Sequence, residues 1–162
     1  MEATKHIGFT GTQVGMTRDQ KDSFRLLIAR LLPTDFHHGD CIGADAEAHE
    51  LVLETIPQKV FIHIHPPDIK TKRAFKTADD IWPEKPYLER NHEIVDATRM
   101  LIATPKGMTE EQRSGTWATI RYAWKVGGKK VFIIYPDGVI NLHQAPTKLN
   151  QNLQLDSTDS FE

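Results

Sequence analysis

One cysteine, Cys41, is all the sulfhydryl chemistry the 162 residues contain. An intramolecular disulfide is thereby excluded, and the usage suits a reducing compartment. No apolar run approaches the roughly 20 residues that cross a bilayer. The N-terminal residues also lack the apolar core of a signal peptide. A cytoplasmic protein with no membrane partner is therefore expected. Charge of either sign is not in excess: 20 Lys and Arg stand against 22 Asp and Glu, for a net −2. Nothing draws such a chain to nucleic acid as a whole, so nucleic acid is not an expected partner and any phosphate recognition has to be local. Two nucleotide fingerprints are also missing. Gly8, Gly11 and Gly15 do not have the G-x-G-x-x-G spacing, and there is no G-x-x-x-x-G-K-[ST], which argues against an ordinary NAD-dependent dehydrogenase or a P-loop enzyme.

What is present is an alternation of apolar runs with amphipathic stretches. At 39% hydrophobic and 26% charged residues, the chain has the composition of one globular domain. Strands are predicted over 5–10, 35–38, 60–64, 99–104 and 130–135. Between them, Thr17 and Gln20 make a capping box for a helix that repeats Phe24, Leu27, Ile28 and Leu31. A second helix runs from about Ala44 to Ile56, a third from Pro86 to about Ala97, and a fourth carries Trp117, Ile120 and Trp124 up to Gly127-Gly128. Alternating strands and helices predict an α/β Rossmann-like three-layer sandwich, with a five-stranded, mostly parallel sheet in the order 3-2-1-4-5. The domain is expected to occupy 1–140. A polar tail rich in Gln, Asn, Ser and Asp follows over 141–162. The connection 65–85 has no clean period and carries Lys70, Lys72, Arg73 and Lys76, so it reads either as a cationic lid or as a solvated loop.

The chemistry is expected in the loops. His38-Gly39-Asp40-Cys41-Ile42-Gly43-Ala44-Asp45 places two glycines and two aspartates between a strand and a helix. There the backbone can approach a ligand closely and the helix aims free N–H groups at it. Thr10-Gly11-Thr12-Gln13 and the stretch from Pro105 to Thr116 repeat the arrangement. All three lie at strand carboxyl ends, where open α/β sheets bind ligands.

In this order and spacing the loops resemble the SLOG superfamily. This Rossmann-like group includes the lonely-guy phosphoribohydrolases, the lysine-decarboxylase-like proteins and stand-alone nucleotide-binding members. The resemblance covers roughly Lys5 to Pro136 and rests on Gly8-Phe9-Thr10-Gly11, Gly39 to Asp45, Arg90-Asn91 and Ser114-Gly115-Thr116. It implies a nucleotide pocket formed by Thr10, Gly11, Thr12 and Gln13; by Gly39, Asp40, Gly43, Ala44 and Asp45; by Arg90 and Asn91; and by Pro105, Arg113, Ser114, Gly115 and Thr116, with a phosphate on Gly115 and Thr116. The phosphoribohydrolases carry P-G-G-x-G-T-x-x-E. Here Arg113 replaces a glycine and Thr119 the glutamate that serves N-glycosidic cleavage. A threonine cannot stabilise an oxocarbenium-like centre or activate water. The expected function is therefore binding of an ADP-ribose, cyclic ADP-ribose, NAD or nucleoside-monophosphate type ligand, as a sensor or sequestering protein. The alternative is an N-glycosidase in which Asp45, Glu89 or Asp40 supplies the carboxylate. By analogy with the group, a homodimer is expected.

Two further constellations carry less. His63 and His65 share one face of a strand and His37-His38 end its neighbour, but no carboxylate is placed beside them in the sequence, so neither a metal nor a cofactor is expected. Cys41 lies near a helix start, yet no histidine is bound to adjoin it as a base, and packing is the expected role.

Overall fold

A computed structural model describes residues 3–144 of the chain. β1 is His6–Gly11, β2 Asp35–His38, β3 Phe61–Ile64, β4 Asp80–Ile81, β5 Met100–Thr104, β6 Lys130–Ile134 and β7 Ile140–Gln144. Helices α1 (Arg18–Leu31), α2 (Ala44–Thr55), α3 (Tyr87–Asp96) and α4 (Gly115–Val126) connect them, with a short 3₁₀ turn at Lys70–Lys72. The α1 start is the expected capping box: Thr17 Oγ1 accepts from the Gln20 amide while the Gln20 side chain accepts from the Thr17 amide.

The sheet has seven strands where five were expected, and its order is β4-β3-β2-β1-β5-β6-β7. The two additional strands are edges. β4 pairs with β3 over only two residues, and β7 runs antiparallel to β6; all other pairs are parallel. Residues 141–144, expected to belong to a tail, are thus part of the sheet, while the rest of that tail, 145–162, lies outside the described residues.

Alternation along the strands divides the core. Ile7, Phe9, Phe36, Ile62 and Ile64 pack with Phe24, Leu27 and Ile28 of α1 and Ala48 and Val52 of α2. Phe24 meets Phe9 edge-on at 5.6 Å and Phe36 at 6.2 Å. Fully burying side chains of this size stabilises the fold by about 1.5–3 kcal/mol each. On the opposite face Leu101, Ala103, Val131 and Ile133 pack with Val95 of α3 and with Trp117 and Ile120 of α4. That second apolar layer stops at β5 and β6. On β1, β2 and β3 the same face carries His6, Asp35, His37 and His63 instead.

The connection 65–85 is fastened to its own protein. Arg73 pairs with Asp40 at 2.9 Å and reaches Glu84 at 3.6 Å, and Lys76 pairs with Glu50 at 2.8 Å. Those two cations are therefore spent on internal carboxylates rather than offered to a ligand.

Candidate functional site

β1 lies between β2, reached through α1, and β5, reached by crossing to the other face, so the strand order reverses beside β1. At the carboxyl ends of β1, β2 and β5 a cavity of about 260 Å³ opens. Thr10, Gly11, Thr12, Gln13, Asp45, Arg90, Asn91, Arg113, Ser114, Gly115 and Thr116 all line it. Sequence reasoning did not single out six more lining residues as ligand contacts: Phe9, Cys41, Tyr87, Ile94, Lys106 and Glu111. One signal could have found two of these. Tyr87, Arg90, Asn91 and Ile94 recur at i, i+3, i+4 and i+7, a single stripe of α3.

Five of the positions assigned to the pocket, and one candidate acid, do not line the cavity. Gly43 has φ +91° and opens α2, and a Cβ there would come within 2.2 Å of the Gln13 carbonyl oxygen. It lets the first two loops touch, and its neighbour Ala44 donates its amide to Thr12 O at 3.0 Å. The carbonyl of Gly39 accepts from Arg90. Asp40 is fully buried against Arg73 and the Lys76 amide, and so anchors the 65–85 connection. The carbonyl of Pro105 accepts from Gln20 Nε2 at 2.9 Å. Glu89 faces a separate groove along α3, with Trp82 and Tyr122.

Arg90 is the centre of the cavity floor and only 3% exposed. Its Nη1 donates to Gly39 O at 2.6 Å and to His65 O at 3.3 Å, its Nε to Asn91 Oδ1 at 2.9 Å, and its guanidinium lies 4.7 Å from the centre of the Tyr87 ring. Cys41 Sγ sits 3.5 Å from Nη2 and 3.3 Å from the Tyr87 hydroxyl. Burial, and then the neighbouring Asp45, push the Cys41 thiol up despite Arg90, so it is held as a thiol. Burial and Cys41 likewise push the Tyr87 hydroxyl up to about 12, leaving it a neutral hydrogen-bonding group that also meets the Gln13 amide. Asp45 accepts from the Cys41 amide at 3.2 Å. Burial raises its pKa to about 6 against the opposing pull of Arg90 and of backbone N–H bonds.

The opposite wall carries two cations, Lys106 and Arg113, and one carboxylate, Glu111. Ser114 caps α4, its Oγ accepting from the Trp117 amide at 3.2 Å. The amides of Gly115 and Thr116 remain as first-turn donors with no intrahelical acceptor. A Cβ at Gly115 would find no protein atom closer than 3.9 Å, so the protein itself does not require that glycine for space. Arg121 staples the preceding loop, binding Glu110 at 2.8 Å and the Gln112 carbonyl at 3.0 Å. Lys106 and Arg113, both on the cavity, form no ion pair among the described residues. Thr119, where the phosphoribohydrolases carry glutamate, is 1% exposed and returns its hydroxyl to Gly115 O at 2.9 Å.

No protein-family model matches the chain, and no curated protein matches it. Solved structures do. The molybdenum cofactor binding protein of the phototrophic bacterium Rippkaea orientalis is 18% identical with a TM-score of 0.63, over 98% of this chain and 87% of that one. The protein TM1055 is 14% identical with a TM-score of 0.56, over 79% and 72%. DNA processing protein A from Helicobacter pylori, described for its single-stranded DNA binding mode, is 15% identical with a TM-score of 0.53, over 95% and 73%. At such identities the likeness is one of fold, and what the comparisons establish for this chain is a Rossmann-like α/β domain with a mostly parallel sheet.

Proposed function

We propose that the cavity binds a nucleotide-derived small molecule, with its phosphate on the amides of Gly115 and Thr116 and the cations of Arg113 and Lys106 closing on it. The observation that carries this reading is the meeting of two cations, unpaired among the described residues, with the amino end of α4 on one cavity wall. A volume of about 260 Å³ lies just below the usual range of ligand pockets, about 300–1,000 Å³. It suits a mononucleotide-sized part of an ADP-ribose, cyclic ADP-ribose, NAD or nucleoside-monophosphate ligand. The buried, self-bonded Thr119 at the hydrolase glutamate position supports a stand-alone SLOG-type binder that senses or sequesters the ligand. Its assembly on this reading is a homodimer, which light scattering checks.

A second reading, N-glycosidic hydrolysis, has one observation in its favour: Asp45 and Glu111 place carboxylates on the cavity. Single-stranded DNA has the small cavity and the net charge of −2 against it.

The test is incubation of the full chain with AMP, NAD, ADP-ribose and cyclic ADP-ribose isomers, read by thermal shift and then by chromatography of the released small molecules. A binder is stabilised by about 2.7 kcal/mol at a hundredfold excess over Kd and returns its ligand intact. Gly115→Asp and Arg113→Ala then remove the shift. If these variants keep full binding, or no nucleotide shifts the wild type, the site is assigned wrongly. Free base that disappears on Asp45→Asn selects the hydrolase.

A further inference from the structure

On β1, β2 and β3, four polar side chains occupy sheet positions where an apolar layer would ordinarily lie. Register sets His6 beside Asp35 and His37 beside His63, all on the face that α3 and α4 only partly cover. His6 Nδ1 is 2.8 Å from His37 Nε2, and Asp35 is 2.7 Å from His63 Nε2 and 3.5 Å from His6 Nε2. One nitrogen from each of His6, His37 and His63 lies within 4.8 Å of the other two. The expectation that no carboxylate adjoins these histidines does not hold, because strand register delivers Asp35 from the neighbouring strand.

The hydrogen-bond chain behind His37 directs its lone pair. Glu93 Oε1 is an acceptor 2.7 Å from His65 Nδ1, so that nitrogen donates. His65 then accepts at Nε2 from His37 Nδ1 at 2.8 Å. That bond leaves His37 with its lone pair on Nε2, aimed into the cluster. A carboxylate that orients an imidazole through its far nitrogen is the usual outer support of a metal-binding histidine; Asp80 stands so to His63, 2.9 Å from Nδ1, while Glu93 acts on His37 through His65. Lys85 in turn holds Glu93. His37 is buried, whereas His6 and His63 are partly open to solvent and give an ion a way in.

We propose that His6, His37, His63 and Asp35 bind a divalent first-row transition ion, zinc being the one that suits three imidazoles and a carboxylate in tetrahedral array. Tetrahedral ligands at zinc–nitrogen distances of about 2.0–2.1 Å lie roughly 3.3 Å apart. Closure therefore spreads the His6–His37 pair slightly and turns the His63 ring out of its 4.3 Å stack on His37. With four protein ligands the site is closed and structural, tying β1, β2 and β3 together.

The experiment uses untagged full-length protein freed of metal by a chelator. Cobalt(II) is expected to develop the visible bands of a tetrahedral ion, and zinc to displace it, at one ion per chain by calorimetry. His63→Ala and His37→Ala weaken binding tenfold or more. Asp80→Ala, which keeps every ligand but removes the carboxylate 2.9 Å from His63 Nδ1, weakens it about 10- to 100-fold, and His92→Ala on the outer side of α3 leaves it unchanged. Absence of both the cobalt bands and stoichiometric zinc uptake overturns the proposal. So does uptake that the His63 variant leaves intact. Should His37→Ala fail to fold, the wild-type spectrum and the partly exposed His63 still decide.

Discussion

Arg90 Nη1 stands 2.6 Å from the carbonyl oxygen of Gly39, so close that a Cβ at position 39 would lie 1.9 Å from the same nitrogen. The loop after β2 and the helix α3 are thus locked by a contact only glycine permits, and both contribute to the cavity. Gly39→Ala is expected to destabilise the protein by about 1–3 kcal/mol, as overpacking does. Gly115→Ala, whose Cβ meets nothing nearer than 3.9 Å, should change stability by less than about 0.5 kcal/mol. Denaturant unfolding of the two variants makes the comparison.

Arg73 is one of the side-chain restraints on the 65–85 connection. Its Nε donates to the fully buried Asp40 carboxylate at 2.9 Å, which also accepts from the Lys76 amide at 3.0 Å. Arg73→Ala leaves a buried carboxylate without its cation, a change that typically costs about 3–5 kcal/mol. Faster tryptic cleavage after Lys70, Lys72 and Lys76 than in the wild type is the expected outcome, since the segment loses one of its anchors while keeping those three sites.

Cys41 combines 4% exposure with an upward-shifted thiol. Reactivity requires thiolate and access together, so near neutral pH a thiol reagent should label the native protein far more slowly than the unfolded one. Stopped labelling followed by mass measurement reads this directly. Fast native labelling would mean that the cavity opens much further than the contacts of Cys41 with Tyr87 and Arg90 allow.

The parallel core and the three loops were legible because buried strands are near-continuous apolar runs and their loops carry glycine and hydroxyl residues. β7 was not. Its five residues are all exposed, and it exists as a strand by pairing with the edge of β6 rather than by any period of its own. β4, at two residues, is too short for any pattern to register. The histidine cluster was hidden for another reason. Alternation along one strand places His63, but only register across three strands brings His6 and Asp35 to it. In the cavity, Arg113 and Gly115 stood out from the loop chemistry, whereas Tyr87 came from a helix stripe whose apolar members looked like core.

Asp45 gives the sharpest pH dependence. Burial lifts its pKa from 3.8 to about 6, so between those values the folded chain holds a proton that the unfolded chain has released. Stability contributed by a raised pKa is fully present below the unfolded value and is lost as pH rises through the folded one. At pH 7 wild-type Asp45 is ionised in a buried place, and the difference of about two units corresponds to a cost on the order of 3 kcal/mol. Asp45→Asn keeps the shape and an oxygen for the Cys41 amide but has no proton to lose. Its stability should match that of the wild type near pH 4 and exceed it increasingly from pH 4 to pH 7. Urea unfolding of both proteins across that range reads the divergence, and parallel pH curves would mean that Arg90 and the backbone amides hold Asp45 ionised throughout.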